Sequence, residues 1–445
     1  MLKPSIKGLR GHLIDTPTRG TVRGVRDGAI LIEDGRIAAV GPWDEVRRTP
    51  EAKGVLWLHS PEAVIIPGLI DVHAHLPQFP AVARVEDGLL PWLQRHVFPL
   101  ERQFNAATAR DEAPLFFEAL ARHGTTTAML YATIYEESCD VAFEAADASG
   151  LRVILGKVMM DDGSYGDLPS EQILPLSLAQ SERLCRRWHG HDDGRLEYAF
   201  SPRFAVTCTA AMMQGAADLA QKYGAYVQTH LSENAGEIAA VAERFPDDPH
   251  YTGVYERCGL LGPRSVFGHC IHLADDELER VVETESVIAH CPTSNLFLNS
   301  GIMPLTRMLD AGARIGLGSD VAGGPELNLW QVMRSAVEGQ KARSFFEPNT
   351  RIPTEAEIFH LATQGGAEAL GKGSLIGSID IGKDADVAVL DLAQALPYNR
   401  RGHLHADLTA EEILTLLTYR GNSASVIETF VRGRSVWRAP EPLLL

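Results

Sequence analysis

The feature that most restricts the fold is a series of short apolar runs spaced through the middle of the chain and alternating with helical segments. They cover residues 64–75, 125–131, 152–160, 196–201, 225–230, 265–269, 286–290 and 314–320. Runs of this length that are apolar almost throughout read as strands buried on both faces. Such strands alternating with helices form a parallel sheet, and eight of them in about 250 residues predict an α/β fold with a closed (β/α)8 barrel. A doubly wound open sheet is the competing architecture, but no Gly-x-Gly-x-x-Gly follows an early strand to support it.

The two ends of the chain have a different texture. His12-Leu-Ile, residues 28–33 and residues 36–40 are short β-rich stretches punctuated by Asp-Gly and Gly-Pro. The same pattern returns after Gly377, at residues 385–390 and 426–434. Residues 1–66 and 377–445 are therefore expected to pair into one accessory domain beside a barrel of residues 67–376.

Composition removes several function classes. A net charge of −17 offers no basic field to a polyanion, so neither nucleic acid nor an anionic membrane is an expected partner. Hydrophobic residues at 45% and charged residues at 22% are those of a folded globular chain. Six scattered cysteines without Cys-x-x-Cys read as reduced thiols in the cytoplasm. The first residues, Met1 to Gly8, lack the apolar core of a leader, and no uncharged run is long enough to span a bilayer.

Polar residues at the ends of these apolar strands carry the chemistry. Pro67-Gly-Leu-Ile-Asp-Val-His-Ala-His75 ends the first run with two imidazoles at i and i+2, on one face of a strand. A lone pair of this kind is as often two solvated or core histidines as two ligands. Here, however, Arg203 follows the fourth run, His230 ends the fifth, His269 the sixth and Asp320 the eighth. In a barrel all of them converge on the C-terminal mouth. Three neutral imidazoles and a carboxylate, His73, His75, His230 and Asp320, suit one Zn2+ or Fe2+ with a position left for water. His269 would then contact that water, while His272 and His290 take hydrogen-bonded structural roles. His403 and His405 repeat the spacing in a polar, Arg-rich stretch and read as a solvated loop.

These residues resemble the metal-dependent amidohydrolase superfamily and, within it, the members that deaminate guanine. The general signatures are the His73-Ala-His75 segment, His230-Leu-Ser-Glu233, Gly268-His269, His290-Cys-Pro-Thr-Ser-Asn295 and Gly316-Leu-Gly-Ser-Asp320-Val-Ala-Gly-Gly324. Pro77-Gln78, Leu90-Pro-Trp-Leu93 before Phe98-Pro99, and Ser201-Pro-Arg203-Phe204 are similar to the guanine-deaminating branch. The resemblance implies a barrel with a composite β-sandwich built from both termini, one zinc or iron per chain, a purine substrate and a homodimer. It also implies hydrolytic release of ammonia from guanine. Glu233 would protonate the ring nitrogen beside the attacked carbon, Asp320 would accept and return the water proton, and His269 would hold the nucleophile. Arg203, with five donors and no acceptor, suits adjacent acceptors such as O6 and N7 of guanine. Gln78 would read the remaining polar edge and Phe204 would pack on the ring.

Binuclear relatives carry a carboxylated Lys at the end of the fourth strand, where this chain has Phe200-Ser-Pro-Arg203, so one ion is expected. Lys157, on the third run, is read as structural. The small zinc deaminases are excluded because their His-x-Glu and Pro-Cys-x-x-Cys pattern is absent. Tyr135 stands where many relatives have His, and Asp162-Gly163 replaces an expected Asn. If both places border the pocket, another aminopurine, a pterin or a triazine is the alternative substrate. A metal-free scaffold is the alternative from a different class.

Overall fold

The computed structural model describes residues 6–86, 88–396 and 408–440. His403 and His405 lie outside the described residues. Each apolar run contributes a barrel strand: Leu69–His75, Thr125–Tyr131, Arg152–Gly156 with Val158–Met159, Leu196–Pro202, Tyr226–Leu231, Ser265–His269, Val287–His290 and Arg314–Leu317. Neighbours in this order pair in parallel. The barrel closes just past the eighth strand, where Asp320 N donates to His73 O at 2.8 Å and His75 N donates to Val321 O at 3.0 Å.

Inside the barrel, Ile70, Val72, Met129, Ile154, Val266 and Val287 pack together. Ala367, Leu370 and Ile376, from helix Gln364–Ala369 and the chain beyond it, pack against this cluster and stopper the end of the barrel remote from the strand C-termini. A second core lies between strands and outer helices and includes Phe116, Phe117, Phe143, Met213 and Trp330. With both faces covered, the strands can be apolar throughout.

Three of the expected runs differ in detail. The first is two strands separated by Gly68, where a Cβ would sit 2.1 Å from Thr126 Oγ1. Val64–Pro67 joins the terminal sheet and only Leu69–His75 enters the barrel. The third is interrupted at Lys157, and the eighth ends at Leu317, which leaves Asp320 on a loop rather than on the strand.

The termini do pair. One mixed sheet runs Arg434–Arg438, Val426–Val431, Val387–Leu390, Val64–Pro67, Ile6–Thr18, Thr21–Glu33 and Arg36–Pro42, with Trp57–Leu58 beside Ile6–Thr18. Its first hairpin is far longer than the short stretches expected, two strands of 13 residues each. A two-residue turn at Arg19-Gly20 joins them, with Gly20 at φ 76°, a value glycine adopts without steric cost. Leu9, Leu13, Ile30, Ile65, Val387, Val389 and Phe430 form the apolar cluster of this sheet.

Arg152, at the start of the third barrel strand and fully buried, ties barrel to sheet. It donates from Nη2 to Asp384 Oδ2 at 2.8 Å and from Nε to Asp386 Oδ2 at 3.2 Å. Removing it leaves buried Asp386 without its counter-charge, while Asp384 keeps Arg36 and Arg432 at 3.6 and 3.3 Å. Arg152→Ala is therefore expected to destabilise the protein by about 3–5 kcal/mol. Differential scanning calorimetry checks this, and an unchanged melting temperature would show that the buried pairs are not what joins the two parts.

Candidate active site and metal centre

The first strand delivers His73 and His75 by way of a defect. Asp71 pairs with Ala128 and Ala74 with Leu130, so three steps along one strand match two along the next. The extra residue is a β-bulge, which turns the strand by one position. Before it Ile70 and Val72 face the interior; after it His73 and His75 do. Asp71, buried in the bulge, accepts from Ser319 N at 3.0 Å and His73 N at 3.2 Å and so fixes the first strand against the loop that carries Asp320.

Glycine makes room for the imidazoles. A Cβ on Gly268 would meet His73 Cε1 at 2.7 Å, and one on Gly318 would meet His73 Cβ at 2.7 Å. Ser232, His269, Cys270 and Asp320 all adopt positive φ, between 47° and 71°. Non-glycine residues in this region cost on the order of 1–3 kcal/mol each and gather at functional sites.

The side chains predicted at the mouth come together. His75 Nε2 is 3.2 Å from His230 Nε2 and 3.2 Å from Asp320 Oδ1, and His73 Nε2 is also 3.2 Å from Asp320 Oδ1. His269 Nε2 lies 3.7 Å from Asp320 Oδ2 and 3.3 Å from Glu233 Oε2. One ligand atom each from His73, His230, His269 and Asp320 falls within 4.8 Å of the others. His269 is therefore as much a part of the cluster as His75.

The donor set fits a cation. His230 Nδ1 is 2.7 Å from Arg203 O, and a carbonyl only accepts, so the ring proton is on Nδ1 and Nε2 presents its lone pair. His269 is fixed the same way by Asn295 Oδ1, 2.9 Å from Nδ1. His73 Nε2 and His269 Nε2 are buried and make no hydrogen bond. Burial pushes the His75 imidazole down to about 4, partly countered by Asp320. Burial and the neighbouring imidazoles push His230 well below its usual value. Burial alone would raise Asp320, but the close imidazoles of His73 and His75 hold it well below the usual carboxylate range. Neutral imidazoles around an ionised carboxylate are the protonation states in which these groups bind metal.

Glu233 has the opposite environment. Burial, then Asp320 and Glu237, raise it well above an ordinary carboxyl group. It sits just before helix Ala235–Arg244, whose cap is built by Asn234 and Glu237, and Ser300 Oγ donates to its Oε1 at 3.2 Å.

A narrow slot leads from this cluster to the predicted recognition residues. His75, Gln78, Leu89, Trp92, Leu93, Arg203, Phe204, His230, Glu233, His269, Leu298 and Asp320 line it. Cavities of about 530 and 680 Å3 elsewhere are larger, but neither holds a histidine. Phe204 joins Leu89, Trp92, Leu93 and Leu298 in its apolar wall.

Sequence reasoning missed Glu101. It is fully buried, takes Arg203 Nη1 at 2.6 Å and Gln78 Nε2 at 2.8 Å, and so holds both recognition residues. Its one sequence signal is its place just after Phe98-Pro99. Other expectations need correction. Tyr135 and Asp162 do not line the slot: Tyr135 donates to Arg102 O at 3.1 Å, and Asp162 pairs with Arg244. His272 Nε2 is hydrogen-bonded to Ser300 O at 2.8 Å as expected, but neither ring nitrogen of buried His290 has a partner among the described residues. Burial, and then the nearby His269, drive its imidazole down to about 3. Lys157 is buried and donates to Ser177 Oγ at 2.9 Å.

Residues 64–436 match the Amidohydrolase family, and residues 28–52 match the bacterial imidazolonepropionase-like composite domain. The guanine deaminase of Escherichia coli (strain K12) is 35% identical over 97% of this chain and 98% of its own length. The chain belongs to the amidohydrolase family, among its guanine deaminases. Its nearness to them extends to structure. A crystal structure of guanine deaminase from C. acetobutylicum with bound guanine in the active site superposes with a TM-score of 0.88 at 30% identity, covering 97% of this chain and all of that one. A zinc-bound adenosine deaminase from Xanthomonas campestris gives a TM-score of 0.81 at 25% identity over 96% and 92% of the two chains. For this amidohydrolase the fold is thus shared across substrates, and the residues lining the slot have to decide between purines.

Proposed function

We propose that this amidohydrolase hydrolyses guanine to xanthine and ammonia, using one zinc ion, or iron in its place, held by His73, His75, His230 and Asp320. The observation that carries the reading is the slot itself, with the imidazole and carboxylate cluster at one end and Arg203, Gln78 and Phe204 at the other. When bound, the ion would supply Lewis acidity that lowers the pKa of water toward about 7.

The chain's own groups then divide the proton work. Asp320, ionised, accepts the proton of the attacking water and later delivers it to the departing amine. Glu233, whose carboxyl burial raises well above its usual range, donates to the ring nitrogen beside the attacked carbon. His269, oriented by Asn295, holds the nucleophile in place. Arg203 addresses the carbonyl edge of the purine, Gln78 its neighbouring polar edge, and Phe204 packs on the ring. The placement of Tyr135 and Asp162 outside the slot weakens the case for a pterin or triazine.

Ammonia release from guanine, adenine, a pterin and a triazine tests the substrate. Release from any of the others at a rate equal to or above that from guanine would overturn the assignment. Metal analysis of the same preparation is expected to give close to one zinc or iron per chain, because no lysine ends the fourth strand to bridge a second. Two per chain, or none after supplementation, would refute a single-ion site.

The same proposal places the enzyme in the cytoplasm as a homodimer. The cysteines are all free and buried, which suits a reducing compartment. Among the described residues no helix is long and apolar enough to cross a membrane. Phe345 and Phe346, 84% and 85% exposed, supply an apolar patch that a second copy would cover. Light scattering reads the assembly.

A further inference from the structure

We infer that Glu101 is the positioning residue that makes this pocket select an uncharged purine, by neutralising Arg203 and fixing the direction of the Gln78 amide. The inference deepens the guanine reading and rests on it.

Three contacts carry it. Arg203 is fully buried at the slot, and its Nη1 donates to Glu101 Oε2 at 2.6 Å. The other carboxylate oxygen, Oε1, accepts from Gln78 Nε2 at 2.8 Å. Gln78 Oε1 in turn accepts from Ala322 N at 3.3 Å. Glu101 itself has no exposed surface, although both residues it holds line the slot and it does not.

A buried carboxylate with a guanidinium on one oxygen and an amide N–H on the other determines what those groups can offer. Glu101 occupies one Arg203 N–H and leaves the remaining donors for ligand acceptors. With one amide hydrogen on Glu101 and the carbonyl on Ala322 N, Gln78 cannot turn over. It presents one free N–H and one free lone pair in a fixed order, the pattern a neutral heterocyclic edge can meet. The pair Arg203 and Glu101 also carries no net charge. A neutral purine therefore binds without leaving an uncompensated ion at this end of the slot, whereas an anionic purine faces the nearby carboxylate and a guanidinium whose charge is already balanced.

The element that delivers Glu101 is built for this place. Helix Phe98–Gln103 follows a single π turn over Leu93–Val97, a defect that often marks functional sites. It sets the Phe98 ring 5.1 Å from the Arg203 guanidinium while its next turn brings Glu101 to the same group. Slot wall, cation partner and carboxylate thus come from one short stretch.

The test compares the unmodified holoenzyme with Glu101→Gln, nearly the same shape without the charge, and Glu101→Asp, the same charge with shorter reach. The probes are guanine and urate, a purine that is a monoanion at neutral pH. Glu101→Gln is expected to raise KM for guanine about tenfold with kcat little changed, and to tighten inhibition by urate about tenfold. Glu101→Asp should raise KM for guanine but leave urate inhibition at the parental level. A role confined to folding would lower the active fraction and shift neither KM nor urate inhibition, so unchanged values for both in Glu101→Gln overturn the inference. Weakening of both ligands by Glu101→Gln also overturns it. Urate binding is read by titration calorimetry without turnover. Failure of the unmodified enzyme to deaminate guanine would therefore count against the guanine reading alone, while the charge argument is still decided by urate.

Discussion

Glu233→Gln is expected to keep its metal and to turn guanine over about 10²–10⁴ times more slowly, the scale of a lost general acid or base. The substitution is nearly isosteric, and the contacts that place the side chain survive it. Ser300 Oγ can still donate to the retained oxygen, and Glu237 still caps the backbone at Glu233 and Asn234. What is lost is a titratable carboxyl, which burial and the neighbouring Asp320 and Glu237 raise well above the usual carboxylate range. An amide in the same place cannot pass a proton to a ring nitrogen and take it back. Steady-state kcat with metal content on one preparation checks this. Near-normal turnover would refute the proton route, and loss of the metal would show that Glu233 helps to hold it.

Arg203→Leu is expected to remove most of a preference for guanine over adenine that in the unmodified enzyme is at least about 10²-fold. Guanine offers O6 and N7 as adjacent acceptors to the guanidinium. Adenine places an amino donor where O6 would be, and two donors left facing each other in a buried slot cost about 1–3 kcal/mol each. Leucine has no donors, so it cannot make the distinction. The substitution also leaves the buried Glu101 without its cation, and some loss of folded protein is expected. The measured quantity is therefore the ratio of kcat/KM for the two purines, which does not depend on the active fraction. Equal efficiencies in the unmodified enzyme, or an unchanged ratio in the variant, would remove Arg203 as the reader of the carbonyl edge.

Both predictions concern residues that stand out in the amino-acid sequence alone. Glu233 stands three places after His230 and Arg203 two places after the fourth apolar run, and barrel geometry makes strand ends converge. Glu101 cannot be found in the same way. Its partners lie 23 and 102 positions away, and a Glu after Phe-Pro-Leu reads as one more acidic residue in a short helix. The closeness of His75 and His269 to Asp320, 3.2 and 3.7 Å, is likewise not written in any local pattern.

The barrel, the pairing of the two ends and the polar residues at the mouth are all legible in the order of the amino acids. Strands covered on both faces must be apolar along their length, so their number, order and polar ends are written locally and can be read with a period and a count. Which of those residues face one another is set by contacts between distant segments. The bulge between Asp71 and Ala74 turns His73 and His75 inward after Ile70 and Val72 already face that way, a change of phase invisible to a two-residue period. Closure of the barrel through Asp320 and His75 brings the first and eighth strands into contact, and a helix outside both supplies the carboxylate that holds Arg203. Such contacts depend on where distant segments end in space, and no local pattern encodes that.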